Sequence, residues 1–144
     1  GGLFVTLSYV IFDMKGKRLC MSNGGHLPVI GTSAKKSELL TAEEGMPIGV
    51  MQGIPFSNFE HPIQTGDCYA LYSDGISEAR DRKKNEYSIE RLQEVLSGRP
   101  DETAKQTLDR VIADVHQFMG RAEQHDDMTL ILVKIKEAGE TKKT

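Results

Sequence analysis

Residues 67–81 read DCYALYSDGISEARD, and the reading of this stretch decides the fold. Cys68 to Tyr72 is an apolar run bound for a core, yet the segment ends on a carboxylate, Asp74, followed at once by Gly75. Alternation sends Cys68, Ala70 and Tyr72 one way and Tyr69 and Leu71 the other, which predicts a central strand over 68–74. Taken alone, Asp74 reads as an Asx-turn residue closing that strand. A second position changes its meaning.

That position is the start of the last apolar run, MTLILVKIK (128–136), which follows directly on Asp126-Asp127. If the two strands lie side by side and antiparallel, the end of the first and the start of the last meet at one rim, and their acids come together. Like charges within about 4–6 Å disfavour ionisation, and a divalent cation removes the conflict by taking oxygens from both. Gly75 permits close backbone approach at the same rim and leaves a carbonyl or water position open to an ion. Asp126-Asp127 also has a plain reading, an exposed turn.

Working outward, LFVTLSYVIFD (3–13) is a β-branched and aromatic strand with Leu3, Val5, Leu7, Tyr9 and Ile11 on one face, expected to be covered on at least one side. Asp13-Met14-Lys15-Gly16 turns it back into KRLCMSN (17–23), an antiparallel hairpin. NGGHLPVI (23–30) interrupts the return before a short apolar piece, and SELL reads as an edge strand. GMPIGVM (45–51) and IPFSNFEHPI (54–63) read as short strands bounded by Gly and Pro. Ser88 is a candidate N-cap for a helix ending at Gly98, and Pro100-Asp101 for one ending at Gly120. Strands, two helices and a final strand, without β and α alternating, predict a mostly antiparallel α+β architecture.

At 144 residues, with 38% hydrophobic and 27% charged side chains, the chain is sized for one globular domain. A net charge of −3 and a single short cationic cluster, Arg82-Lys83-Lys84, exclude a nucleic-acid partner. No stretch reaches the roughly 18 apolar residues of a membrane span. Cys20 and Cys68 sit in apolar runs as small buried hydrophobes of a reducing compartment, which points to the cytoplasm. Because the chain enters a strand almost at once, truncation is expected. Residues 1–136 are then a domain lacking its N-terminal part, and 137–144 a flexible polar tail.

Five segments, FVTLSYVIFD, NGGHLPVI, GMPIGV, TGDCYALYSDGISEARD and HDDMTLILVK, resemble in order and spacing the C-terminal portion of bacterial SpoIIE/RsbU-type serine/threonine phosphatases, members of the PPM or type 2C superfamily. The resemblance implies a largely antiparallel β-sandwich flanked by helices, a partial PPM αββα fold. It also implies two Mn2+ or Mg2+ ions that activate water for attack on phosphoserine or phosphothreonine. Asp74 resembles the family's SDG aspartate and Asp126 the first aspartate of its DD/DN-x-T motif, both metal ligands there; Asp127 matches a more variable position. Gly75, Ser73 and Thr129 are expected to ligate or to hydrogen-bond the ligands, and no catalytic residue beyond the metal ligands is expected. Asn23 and His26 match the family's N-A/G-G-H-x-P loop, a candidate substrate-side loop in which His26 is a general acid or, more plainly, a histidine satisfied by backbone.

The family's earlier GGD-Y/F-x-D strand and D-x-x-G-H/K-G turn, which carry further metal-binding carboxylates, appear nowhere in this sequence. The expectation is a phosphatase module that is inactive as the isolated chain, with a phosphorylated STAS-type anti-sigma-factor antagonist as its partner by analogy. The alternative is a non-catalytic interaction or scaffold domain with an incomplete metal site. Bare strand edges also predict a homodimer.

Overall fold

The computed structural model describes residues 3–34, 36–41 and 45–137. Gly1 and Gly2, and the polar tail from residue 138 on, lie outside the described residues. The chain divides into two compact units, Gly1–Pro28 with Leu40–Gln64, and Val29–Leu39 with Thr65–Thr144.

The first unit is a three-stranded antiparallel sheet in the order β1 (Leu7–Asp13), β2 (Arg18–Gly24), β5 (Phe59–Pro62). The expected hairpin forms with Tyr9 opposite Ser22 and Ile11 opposite Cys20. Its turn is closed by the Gly16 N–H donating to Asp13 Oδ1 at 2.8 Å, with Lys17 in the left-handed region at φ 51°. Leu19 and Met21 of β2 are buried, but the apolar row of β1 is not. Leu7, Tyr9 and Ile11 are 46%, 60% and 48% exposed, and the half-buried side of β1 is the other one, with Ser8, Val10 and Phe12. β1 is the edge of its sheet and, among the described residues, has β2 as its strand partner. GMPIGVM does not form a strand either. Pro47 and its flanking glycines leave one bridge, between Val5 and Ile48.

The second unit holds a four-stranded sheet in the order β4 (Ser37–Leu40), β3 (Val29–Thr32), β6 (Cys68–Tyr72), β7 (Leu130–Lys134). SELL is an edge strand as read, and β6 is interior, antiparallel to both β3 and β7. The strand stops at Tyr72, however, and Asp74–Ser77 forms a single helical turn, α1, that the alternation pattern did not suggest. Ile76 and Ala79, three residues apart and fully buried, anchor that turn in the core.

Two longer helices follow. Ser88 caps α2 (Ile89–Leu96), its hydroxyl accepting from Arg91 N. Helix α3 (Ala104–Met119) begins not at Pro100-Asp101 but behind Thr103, where a reciprocal capping box with Gln106 satisfies both end groups. Thr107, Val111, Val115 and Met119 form its buried stripe. A polar cluster joins the helices: Arg91 donates twice to Asp114, Tyr87 Oη donates to the same carboxylate at 2.7 Å, and the guanidinium lies over the Tyr87 and Phe118 rings. Among the described residues no helix is long and apolar enough to cross a membrane.

Candidate functional site

The register of β6 against β7, Tyr72 opposite Leu130, carries the SDG turn to the DDMT segment. Ser73 makes the junction. Its N–H donates to Thr129 O at 3.0 Å, its hydroxyl accepts from Thr129 N–H at 2.9 Å, and the same hydroxyl donates to Asp127 O at 2.9 Å. Ser73 occupies the N-cap position of α1 with extended backbone, yet its side chain makes no cap bond. It is spent on the facing chain instead.

Gly75 explains how closely the two segments approach. A Cβ built on it would stand 2.3 Å from Asp127 O and 3.4 Å from the carbonyl carbon of Asp126, inside van der Waals contact with backbone. Only a glycine allows this approach. The Asp127 carbonyl that Gly75 faces accepts the Ser73 hydroxyl.

Asp74, Asp126 and Asp127 are exposed at this rim. Asp74 Oδ1 accepts from Gly75 N–H at 2.9 Å, and Asp126 Oδ1 accepts from Asp127 N–H at 2.7 Å. Each bond holds one carboxylate oxygen on local backbone and leaves Oδ2 without a partner among the described residues. The donor set is all oxygen, which suits a hard divalent ion. It is small, since the described residues contain no group of three or more His, Cys, Asp or Glu placed to hold a metal. Gln124, which the sequence reading did not single out, donates from Nε2 to Asp126 O at 2.8 Å and braces the acidic turn. Its signal was no more than an amide two residues before an acid.

The NGGH loop belongs to the other unit. Asn23, buried, grips the backbone of His26 at both ends: Oδ1 accepts from His26 N–H at 2.7 Å and Nδ2 donates to His26 O at 2.8 Å. His26 Nδ1 lies 3.3 Å from Thr6 Oγ1. Gly25, at φ 72°, faces the Pro47 ring, and a Cβ there would stand 2.6 Å from it. Arg80, beyond the SDG turn, is paired with Glu86 at 2.8 Å.

Comparison with known proteins matches this arrangement to one lineage. The phosphoserine phosphatase RsbU of Bacillus subtilis is 26% identical over 137 residues, covering 93% of this chain and 40% of its own length. The SiaA-PP2C domain of Pseudomonas aeruginosa superposes with a TM-score of 0.79 at 17% identity, over 91% of this chain and 52% of that one. The Bacillus subtilis SpoIIE phosphatase domain, from Mn-presoaked crystals, gives 0.69 at 20% identity, over 92% and 57%. The chain thus spans about half the length of these relatives or less, and its fold, antiparallel sheets with helices, is that of a PPM phosphatase domain. The sequence model of the family described as Stage II sporulation protein E (SpoIIE) matches residues 1–136, and the chain belongs to that family.

Proposed function

We propose that this chain is a module of a metal-dependent protein serine/threonine phosphatase, with Asp74 and Asp126 as ligands of Mn2+ or Mg2+. The observation that carries the reading is the Ser73 clamp with Gly75 against Asp127, which brings two acid-bearing turns to one rim. When bound, the ions would supply an activated water and neutralise charge on a phosphoryl group. The chain's own residues do the positioning. Ser73 and Gly75 fix the two turns, the backbone N–H groups of Gly75 and Asp127 orient one oxygen of each carboxylate, and Thr129 and Gln124 brace the turn that carries Asp126. Asp127 is an additional oxygen donor at the rim.

By resemblance Asn23 and His26 belong to a substrate-side loop, whose backbone at His26 is held by the Asn23 side chain. The substrate group is phosphoserine, by analogy with the phosphoserine phosphatase RsbU, or phosphothreonine, and the family resemblance places it on a regulatory protein of the STAS-type anti-sigma-factor antagonist class. The compartment is the cytoplasm, consistent with two free thiols at Cys20 and Cys68. A second copy pairs along the exposed edge strand β1.

The isolated chain turns over little substrate, because a two-ion site held by two or three carboxylates leaves most of each shell to water. The test is binding of a phosphoserine peptide with and without manganese. Binding that strengthens with the metal, and loses that response in Asp74→Asn, supports the reading. Binding indifferent to both contradicts it, and rapid turnover by the isolated chain contradicts the statement on activity.

A further inference from the structure

Between α1 and α2 the chain builds a tight hairpin, residues 79–87, whose tip is the run Arg82-Lys83-Lys84. Asp81 organises it: its carboxylate accepts from Lys83 N–H at 2.7 Å, Asn85 N–H at 2.9 Å and Asn85 Nδ2 at 2.8 Å. Backbone bonds from Lys84 N–H to Asp81 O and from Asp81 N–H to Asn85 O complete the turn, with Lys84 in the left-handed region at φ 66°. The stem is closed by the Arg80–Glu86 pair and by Tyr87 N–H donating to Ala79 O at 2.8 Å. Its base is tied to α1, where Ser88 N–H donates to Ser77 O at 2.8 Å. The cations are therefore mounted on the same rigid segment that begins with Asp74.

Glu86 is held by Arg80, and Asp81, whose carboxylate accepts from three loop donors, acts on Lys83 only through the field of its charge; the side chains of Arg82, Lys83 and Lys84 are exposed and make no ion pair or hydrogen bond among the described residues. A chain of net charge −3 thus displays three adjacent exposed cations on a preorganised turn, with one carboxylate, Asp81, beside them. Three cations beside a single such acid still repel one another, and an acidic surface relieves that repulsion while gaining association rate.

We propose that the Arg82-Lys83-Lys84 tip is a docking element for the acidic residues flanking the phosphorylated serine or threonine of a protein substrate. This rests on the phosphatase reading of the neighbouring rim and adds a determinant of substrate choice to it.

The experiment measures fluorescence anisotropy of the full chain, in manganese, with two labelled phosphoserine peptides, one flanked by glutamates and one with glutamines in their place. Arg82→Glu/Lys83→Glu/Lys84→Glu is expected to weaken the glutamate peptide about 5- to 30-fold at low salt and the glutamine peptide, which keeps only the phosphate charge, clearly less, with the difference fading as salt rises. Lys83→Arg/Lys84→Arg keeps wild-type affinity, and circular dichroism verifies the fold of both variants. Equal behaviour of wild type and charge-reversed chain on the glutamate peptide overturns the proposal. So does tighter, tip-dependent binding to a single-stranded oligonucleotide or to phosphatidylserine vesicles. Asp74→Asn in the same assay reports on the phosphatase reading alone: an unchanged manganese response counts against that reading and leaves the acid preference of the tip standing.

Discussion

Gly75 lies against the backbone of Asp127 so closely that a methyl group on it would stand 2.3 Å from the Asp127 carbonyl oxygen. The contact is with main chain and cannot be relieved by a rotamer change. Gly75→Ala is therefore expected to lower unfolding free energy by about 1–3 kcal/mol through overpacking, measured by urea denaturation. Because Gly75 is in a helical turn rather than at positive φ, this cost is steric and not conformational.

Ser73 is the polar half of the same junction. Ser73→Ala removes the acceptor for Thr129 N–H and the donor for Asp127 O, and a loss of about 1–2 kcal/mol is expected. Amide exchange at Thr129 checks the assignment directly, since its protection falls in the variant if the hydroxyl is the acceptor.

Asn23→Ala leaves both the N–H and the C=O of His26 without their side-chain partner, at a cost of about 1–3 kcal/mol. The expected signature is local: His26 resonances shift and broaden in the NMR spectrum while those of α3 stay in place.

Stability at acid pH depends on Asp114. The hydrogen bonds from Arg91, and with them that from Tyr87, hold its carboxyl below the usual aspartate range. A depressed folded-state value means that the contribution is full above the unfolded aspartate value, about 3.9, and is lost as pH falls below it. Glu102, held low chiefly by Arg110, adds to the same acid limb. In Asp114→Asn, thermal melting between pH 5 and pH 3 is expected to lose part of its pH dependence.

The sequence showed most clearly those elements whose pattern is set by alternation: the β1–β2 hairpin, the interior strand β6 and the final strand β7. It failed where a short-range interaction overrides pattern. A four-residue helix is too brief to show a period, and only Ile76 and Ala79 hinted at α1. Pro100 looked like a helix start, but the Thr103–Gln106 capping box satisfies more backbone groups and fixes the start there. For β1 the alternation reports that one face is apolar and not which face is covered: the half-buried residues are Ser8, Val10 and Phe12. At the candidate site the approach of the Ser73–Gly75 turn to residues 126–129 followed from the pairing of β6 with β7. The Ser73 clamp is a side-chain contact across 54 residues that no local pattern encodes, and the Gln124 brace, two residues from its acceptor, had too weak a local signal to single out.

The central claim is that Asp74 and Asp126 serve one cation, and isothermal titration with manganese tests it most directly. The wild-type chain should bind manganese weakly, with Asp74→Asn and Asp126→Asn each reducing affinity about tenfold or more and the double variant losing little beyond either single one. Manganese binding unaltered by either substitution would contradict the account.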